Sequence, residues 1–133
     1  MIITVDTNIL ISALGWKGPE FKLMTLIFDG KLNLAISPQI LNEFIHVARS
    51  KKFNFSNDDI DEYIDGLLKI SKIVFPDEIL EIILNDPPDN RILECAETSN
   101  SKYIITGNKH LLKLKRYKNI KIINASEFLK NMP

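Results

Sequence analysis

The sequence predicts an α/β fold with a central parallel sheet of about five strands, covered by helices on both faces. Five short apolar runs lie at residues 2–5, 32–36, 72–75, 103–106 and 120–123. Segments with apolar residues at helical spacing separate these runs, and this alternation is typical of a parallel sheet with right-handed crossovers. The third run, which Pro76 terminates, is predicted to lie at an edge of the sheet. A length of 133 residues fits a single domain spanning residues 1–133.

The composition argues against a membrane protein. No apolar run approaches the about 20 residues that are needed to span a bilayer. Asp6 interrupts the apolar N-terminal stretch, and no basic residue precedes that stretch, so a signal peptide is not expected. Because the single Cys95 has no second cysteine to pair with, we expect a cytoplasmic protein without a membrane partner.

Charge is balanced in total but not along the chain. There are 17 basic and 17 acidic residues, so a strongly basic total does not argue for nucleic-acid binding. Acidic residues are concentrated between residues 58 and 97, whereas every charged residue between 98 and 126 is Lys or Arg. Two interpretations remain open, a pair of solvated faces or a basic rim for a polyanion. The candidate polyanion contacts are Lys109, Lys113, Lys115, Arg116 and Lys118.

The helices are predicted from their start signals and their apolar spacing. Pro19 opens a dense apolar helix that Gly30 ends. Ser37 and Pro38 provide the N-cap and first residue of the next helix, and Ser56 begins a capping cluster for a fourth. The predicted helices lie at residues 8–14, 19–29, 38–48, 56–71, 87–96 and 126–129.

Two acids lie where such a sheet places a ligand-binding crevice. Asp6 ends the first strand, and open parallel sheets bind ligands outside the carboxyl ends of their strands. An Asp before a helix is also a common N-cap. Glu43 lies at the border of the apolar stripe of its helix, where its carboxylate can reach over the sheet edge. For both acids the structural and the functional interpretations remain open, while His46 on the same helix is expected to face solvent.

Asp89 lies in the first turn of a helix that begins at two consecutive prolines. Ile92 and Ala96 follow it at positions i+3 and i+7, so its carboxylate shares the face that packs inward. A carboxylate there must be paired, hydrogen-bonded or metal-bound, because burying it alone costs several kcal/mol. Capping of the helix is the alternative for Asp89, and more strongly for Asp86.

Asn108 completes the set of candidates. Thr106 ends a strand and Gly107 turns the chain, which places Thr106 and Asn108 at the same sheet edge as Asp6; Asn108 also suits a plain N-cap. Three carboxylates that converge repel each other unless a cation compensates. Oxygen ligands without His or Cys suit Mg²⁺ or Mn²⁺ better than zinc. Such ions orient and polarise a phosphodiester and generate hydroxide from bound water, so the set predicts phosphoryl-bond hydrolysis.

These blocks together resemble the PIN-domain family, and more narrowly its VapC-like branch of toxin components of toxin–antitoxin pairs. The resemblance covers nearly the whole chain, and the order and spacing of the blocks are more specific than any single block. The blocks are DTNIL at residues 6–10, SP at 37–38 leading to the acid at 43, DPPDN at 86–90, LECA at 93–96 and YIITGNKHLL at 103–112.

The resemblance implies a three-layer PIN-like fold and a ribonuclease that depends on Mg²⁺ or Mn²⁺. Asp6, Glu43 and Asp89 match the first three acids of the family, whose implied role is to hold the metal that activates the attacking water. Asn108 stands where many relatives have a fourth acid. It keeps an oxygen ligand but lacks the charge, which weakens the case for a second metal.

Further residues and partners are implied by the same resemblance. Thr7, Asn8 and Thr106 fall in matching blocks and are expected to orient the acids or the phosphate. The implied partners are an RNA substrate, a cognate antitoxin and a second copy of the chain in a homodimer. The alternative function is a PIN-like module that binds RNA or a protein partner with weak or no cleavage, as the missing charge at Asn108 suggests.

Overall fold

Strands and helices alternate along most of the chain. The computed structural model describes residues 1–83 and 86–132; residues 84, 85 and 133 of the predicted domain lie outside them. The strands are β1 (Ile2–Val5), β2 (Asn33–Ile36), β3 (Lys72–Ile73), β4 (Tyr103–Ile105), β5 (Arg116–Tyr117) and β6 (Ile120–Ile123). The helices are α1 (Thr7–Gly15), α2 (Pro19–Phe28), α3 (Pro38–Ala48), α4 (Asn57–Ile70), α5 (Pro87–Ser99), α6 (Lys109–Leu114) and α7 (Ala125–Lys130).

One mostly parallel sheet holds the described strands in the order β3-β2-β1-β4-β6-β5. The five predicted strands are confirmed, and all of them pair in parallel. The third is shorter than predicted and lies at an edge of the sheet, although Val74 N still donates to Ile36 O at 3.0 Å. The two-residue β5 was not predicted, and it pairs antiparallel with β6 at the opposite edge.

The helix starts follow the predicted capping signals. The Ser37 hydroxyl accepts from Ile40 N at 3.3 Å, and the Ser56 hydroxyl accepts from Asp59 N at 3.1 Å. These bonds satisfy first-turn amides that have no partner inside the helix. The closing helix α7 begins one residue earlier than predicted, because Asn124 is its N-cap.

The order of the strands places helices on both faces of the sheet. The connections from β1 to β2 and from β2 to β3 run one way along the sheet, whereas the connection from β3 to β4 runs back past β2 and β1. Right-handed crossovers in opposite directions put their helices on opposite faces. Helix α5 therefore covers β1, β2 and β4 on one face, and α1 packs with α2 and α3 on the other. No helix among residues 1–83 and 86–132 has both the length and the apolar character that crossing a membrane requires.

The register of the two central strands brings distant residues to one edge. Val5 of β1 lies opposite Ile105 of β4, so Asp6 and Thr106 leave the sheet side by side. Asp6 N donates to Ile105 O at 3.2 Å, which holds this alignment for one more residue. Helices α1, α3, α5 and α6 all begin at this carboxyl edge. Their N-caps and first turns carry most of the candidate side chains, and Glu43 lies in the second turn of α3.

Candidate functional site

Asp6 is both a helix cap and a buried acid. Only 4% of the residue is exposed, and its Oδ1 accepts from Ile9 N at 3.0 Å, which caps α1. Its Oδ2 accepts a hydrogen bond from the Thr106 hydroxyl. Burial outweighs these bonds and raises the pKa of Asp6 to about 6, with a small further contribution from Glu43. The capping and the functional interpretations of Asp6 are therefore compatible in this geometry.

Asp89 is buried in the first turn of α5 with 8% of the residue exposed. Its Oδ1 lies 3.5 Å from Asn108 Nδ2, at the limit of a hydrogen bond. Its Oδ2 is buried and has no hydrogen-bond partner within the part of the chain that the structure describes. Burial first, and then the charges of Asp86, Asp6 and Glu43, raise the pKa of Asp89 to about 7. Asp89 therefore titrates near neutral pH, because burial and the neighbouring acids both disfavour its charged form.

Glu43 reaches the same cleft from α3 and is half-buried. Burial raises its pKa, the nearby Thr7 hydroxyl lowers it, and the charge of Asp86 raises it again. The Thr7 hydroxyl is buried and makes no hydrogen bond of normal geometry to the described residues. Thr7 is thus a buried hydroxyl beside the acids with its donor still available.

Asn108 faces the acids with its amide nitrogen. Its Oδ1 accepts from His110 N at 2.7 Å and caps α6, and only an amide oxygen accepts such a bond. The Nδ2 group is therefore the one that faces Asp89. The backbone N of Asn108 donates to the Thr106 hydroxyl at 2.9 Å, which links Asn108 through Thr106 to Asp6. The sequence predicted Asn108 as an oxygen ligand of the metal, but its Oδ1 caps α6. The Nδ2 group, a hydrogen-bond donor, faces Asp89 instead.

Asp86 and His110 adjoin this group. The sequence assigned no role to His110 and left open whether Asp86 caps the helix or joins the site. Asp86 occupies the N-cap position of α5, but its side chain makes no capping bond. His110 Nδ1 lies 3.9 Å from Asp86 Oδ2 and 3.9 Å from Asp89 Oδ2. The available signal was spacing, because Asp86 precedes Asp89 by one helical turn and His110 follows Asn108 by two residues.

The acids surround a small cleft of about 110 Å³. Among residues 1–83 and 86–132 no Lys or Arg lines it, so no basic side chain of its described lining compensates the charges of its carboxylates. A divalent cation with oxygen ligands fits this donor set, since the partnerless Oδ2 of Asp89 is the kind of atom that a hard cation binds. The lining residues are Asp6, Thr7, Asn8, Glu43, Asp86, Pro88, Asp89, Ile92 and Asn108.

The predicted basic residues are all exposed, but they do not form one rim around the cleft. Lys109 directly follows Asn108 at the cleft. Arg116 of β5 lies opposite Lys121, near the amino end of β6, and therefore toward the other edge of the sheet. Lys118 pairs with Glu97 there, which reduces its free positive charge.

The fold and the cleft define a class, an α/β protein with a cluster of carboxylates at the carboxyl edge of a mostly parallel sheet. A family model described as the PIN domain matches residues 3–110, so the chain belongs to the PIN-domain family, and that resemblance is confirmed. A chain of VapBC2 from Rickettsia felis, solved bound to a DNA fragment from their promoter, has a similar fold: the TM-score is 0.64 at 23% identity, over 93% of this chain and 98% of that chain. The search of curated proteins found no match.

Proposed function

We propose that this chain is an endoribonuclease that requires Mg²⁺ or Mn²⁺ and is the toxin of a toxin–antitoxin pair. The observation that carries the proposal is the buried, partnerless Oδ2 of Asp89 in a cleft shared with Asp6 and Glu43. An uncompensated buried carboxylate costs several kcal/mol unless it is protonated or bound to a ligand, and such acids cluster at functional sites. Membership of the PIN-domain family supports RNA hydrolysis as the reaction.

In this proposal Asp6, Glu43 and Asp89 would hold the cation through their carboxylate oxygens. A bound cation of this kind polarises the phosphodiester and lowers the pKa of a water molecule that it binds. The protein fixes the ligands in advance: the Ile9 amide and the Thr106 hydroxyl hold Asp6. This preorganisation lowers the reorganisation cost at the moment of reaction.

Thr7 and Asn8 are proposed to orient the phosphate. Thr7 is buried beside Glu43 with a free hydroxyl, and Asn8 is exposed at the mouth of the cleft. Both lie in the first turn of α1, where backbone amides favour an anionic ligand. RNA contact by the basic residues stays a prediction, and Lys109 is the one placed nearest to the acids.

The proposed partners are RNA, an antitoxin and a second copy of the chain. The chain itself is proposed to be a single domain located in the cytoplasm. The likeness in fold to a chain of VapBC2 supports an antitoxin partner. Co-expression with the product of an adjacent gene, followed by co-purification, tests the antitoxin. Sedimentation of the chain alone tests the homodimer.

The first test is cleavage of a structured RNA mixture with Mg²⁺, Mn²⁺ or EDTA, comparing the wild type with Asp6→Asn. The variant keeps an oxygen to cap Ile9 but loses a ligand charge, so we expect a fold that is retained and cleavage that falls by at least about 100-fold. Identical purification makes the variant a control for contaminating nuclease. Equal, EDTA-resistant cleavage by both proteins would refute the proposal.

A second candidate function is an RNA-binding module that does not cut, and Asn108 favours it. The amide at Asn108 removes one charge from the cation site and directs a donor at Asp89. Such a module retains RNA binding that weakens steeply with salt but shows no turnover with any metal. Reversing the charges of Lys113, Lys115 and Arg116 together would then abolish binding, and unchanged binding would remove this alternative.

A further inference from the structure

His110 lies beside Oδ2 of Asp89, whereas the Asn108 amide lies beside Oδ1 of the same carboxylate. We propose that Asp86, Asp89 and His110 form a second position for a divalent cation, one that favours a transition ion such as Mn²⁺ over Mg²⁺. Asp89 is shared between this position and the one held by Asp6 and Glu43. The role of this second ion in RNA cleavage rests on the proposed function, but its binding is measurable without RNA.

The distances fit a bridging ion better than direct hydrogen bonds. The gap of 3.9 Å from His110 Nδ1 to Oδ2 of both Asp86 and Asp89 exceeds the limit of about 3.2 Å for an N–H···O bond. Two metal–ligand bonds of about 2.0–2.2 Å span up to about 4.3 Å. All three ligand atoms lie within 4.8 Å of one another, and the half-exposed Asp86 side chain has room to close the remaining gap.

Two buried atoms aimed into this space are unsatisfied. Asp89 is 8% exposed, and both its Oδ2 and His110 Nδ1 are buried without a hydrogen-bond partner among residues 1–83 and 86–132. Two buried polar atoms that face each other without a partner destabilise the folded protein. An ion between them satisfies both at once.

The backbone holds the donors in place on two different elements. His110 N is fixed by Asn108 Oδ1 at 2.7 Å, and Asp89 N donates to Asp86 O at 3.0 Å. The Asp86 side chain is free because it makes no capping bond to α5. Asn108 holds Oδ1 of Asp89 on one side, which leaves Oδ2 directed at His110.

The imidazole decides the metal preference. Mg²⁺ binds oxygen ligands almost exclusively. Divalent ions of the first transition row tolerate an imidazole ligand better, with affinity rising from Mn²⁺, the weakest of them, to Cu²⁺. His110 thus supplies the ligand that Asn108 fails to supply, and it restricts the second position to ions that tolerate nitrogen.

The test is electron spin echo spectroscopy of Mn²⁺ added to the tag-free protein, which detects ¹⁴N of a coordinated imidazole. The chain has only two histidines, so the assignment needs two variants. We expect a ¹⁴N signal in the wild type and in His46→Gln, whose altered side chain is exposed on α3, and no signal in His110→Gln. Titration should show Mn²⁺ affinity at this position falling about tenfold in His110→Gln, with Mg²⁺ affinity unchanged.

The outcomes separate this inference from the proposed function. Bound Mn²⁺ without a ¹⁴N signal in the wild type, or a signal that disappears only in His46→Gln, overturns the second position even if RNA is cleaved. A ¹⁴N signal from His110 in a protein that cuts no RNA supports the position and refutes the ribonuclease. Asp86→Asn is a second variant, expected to weaken the His110-dependent Mn²⁺ binding without touching the imidazole.

Discussion

Helix α5 carries two buried carboxylates, and their surroundings differ completely. Glu94 is 5% exposed, yet its Oε2 lies 2.8 Å from Arg91 Nη2 and accepts from Leu80 N at 2.8 Å. Asp89, five residues earlier and 8% exposed, has one distant amide donor and one oxygen without a partner in the described chain. The two side chains are buried to a similar extent, but only the negative charge of Glu94 has a positive partner beside it.

The comparison teaches that burial alone does not identify a functional acid. Glu94 ties α5 to the segment before it, because Arg91 also donates to Leu80 O at 3.1 Å. The charge of Glu94 is neutralised by Arg91 inside the protein. The charge of Asp89 is not, since its nearest charged neighbours are other acids and a histidine.

The largest expected difference between the two acids is in their response to metal. Mn²⁺ at 100 times its dissociation constant should raise the free energy of unfolding of the wild type by about 2.7 kcal/mol. Asp89→Asn should abolish this gain, and its metal-free form should be no less stable than the wild type because the repulsion is relieved. Urea denaturation with and without Mn²⁺ measures both quantities.

Glu94→Gln is the matched control for that measurement. It leaves the partly buried Arg91 without its charge partner, so the metal-free protein should lose about 1–3 kcal/mol of stability. The gain on adding Mn²⁺ should nevertheless remain. A gain that disappears in Glu94→Gln, or persists in Asp89→Asn, would contradict the assignment of roles on α5.

A smaller difference is expected in the dependence of stability on pH. The folded pKa values of about 6 for Asp6 and about 7 for Asp89 lie above the ordinary aspartate value of 3.8, so the folded state binds more protons than the unfolded state between about pH 4 and 7. Stability of the metal-free protein should therefore rise as the pH falls from 8 to 5, by about 2.5 kcal/mol from Asp89 and about 1.4 kcal/mol more from Asp6. This direction is opposite to that of an ordinary salt-bridged carboxylate.

The difference between the wild type and Asp89→Asn isolates this effect from every other titrating group. The rise should be smaller in Asp89→Asn and intact in Glu94→Gln. Saturating Mn²⁺ should suppress it in the wild type, because bound metal keeps the carboxylates ionised. Parallel pH profiles for the wild type and Asp89→Asn in urea melts would show that Asp89 is not the titrating group.

The sequence predicted the elements that depend on local pattern. The spacing of Asp89 to Ile92 and Ala96 placed its carboxylate inward, and the position of Asp6 after an apolar run placed it at the strand end. The two-residue β5 escaped prediction because its pairing with β6 depends on a hairpin in which Lys118 adopts φ 53°, a conformation that its residue type does not favour.

The contacts between elements were the part that the sequence did not contain. An N-cap was one of the two interpretations of Asn108, and the helix α6 that it caps was not among the predicted helices. Which end of its amide faces Asp89 depends on His110 N taking the oxygen. The approach of His110 to Asp86 and Asp89 likewise requires the first turns of α5 and α6 to meet. No spacing along the chain reports how two such helices dock.

The smallest expected effect comes from Asn108→Asp, which sharpens the contrast by adding a charge beside Asp89 only. The new carboxylate keeps an oxygen for the His110 cap but replaces the donor that lies 3.5 Å from Asp89 Oδ1. Because Asp89 escapes repulsion by protonation, we expect the metal-free protein to lose only about 1 kcal/mol at pH 8. Added ligand charge should tighten Mn²⁺ binding about tenfold, and calorimetric titration measures this change.

Asn131→Asp is the control, an exposed change at the end of α7 that adds the same charge elsewhere on the chain. Equal effects of the two variants on Mn²⁺ affinity would mean that net charge, and not the geometry at Asp89, sets the affinity.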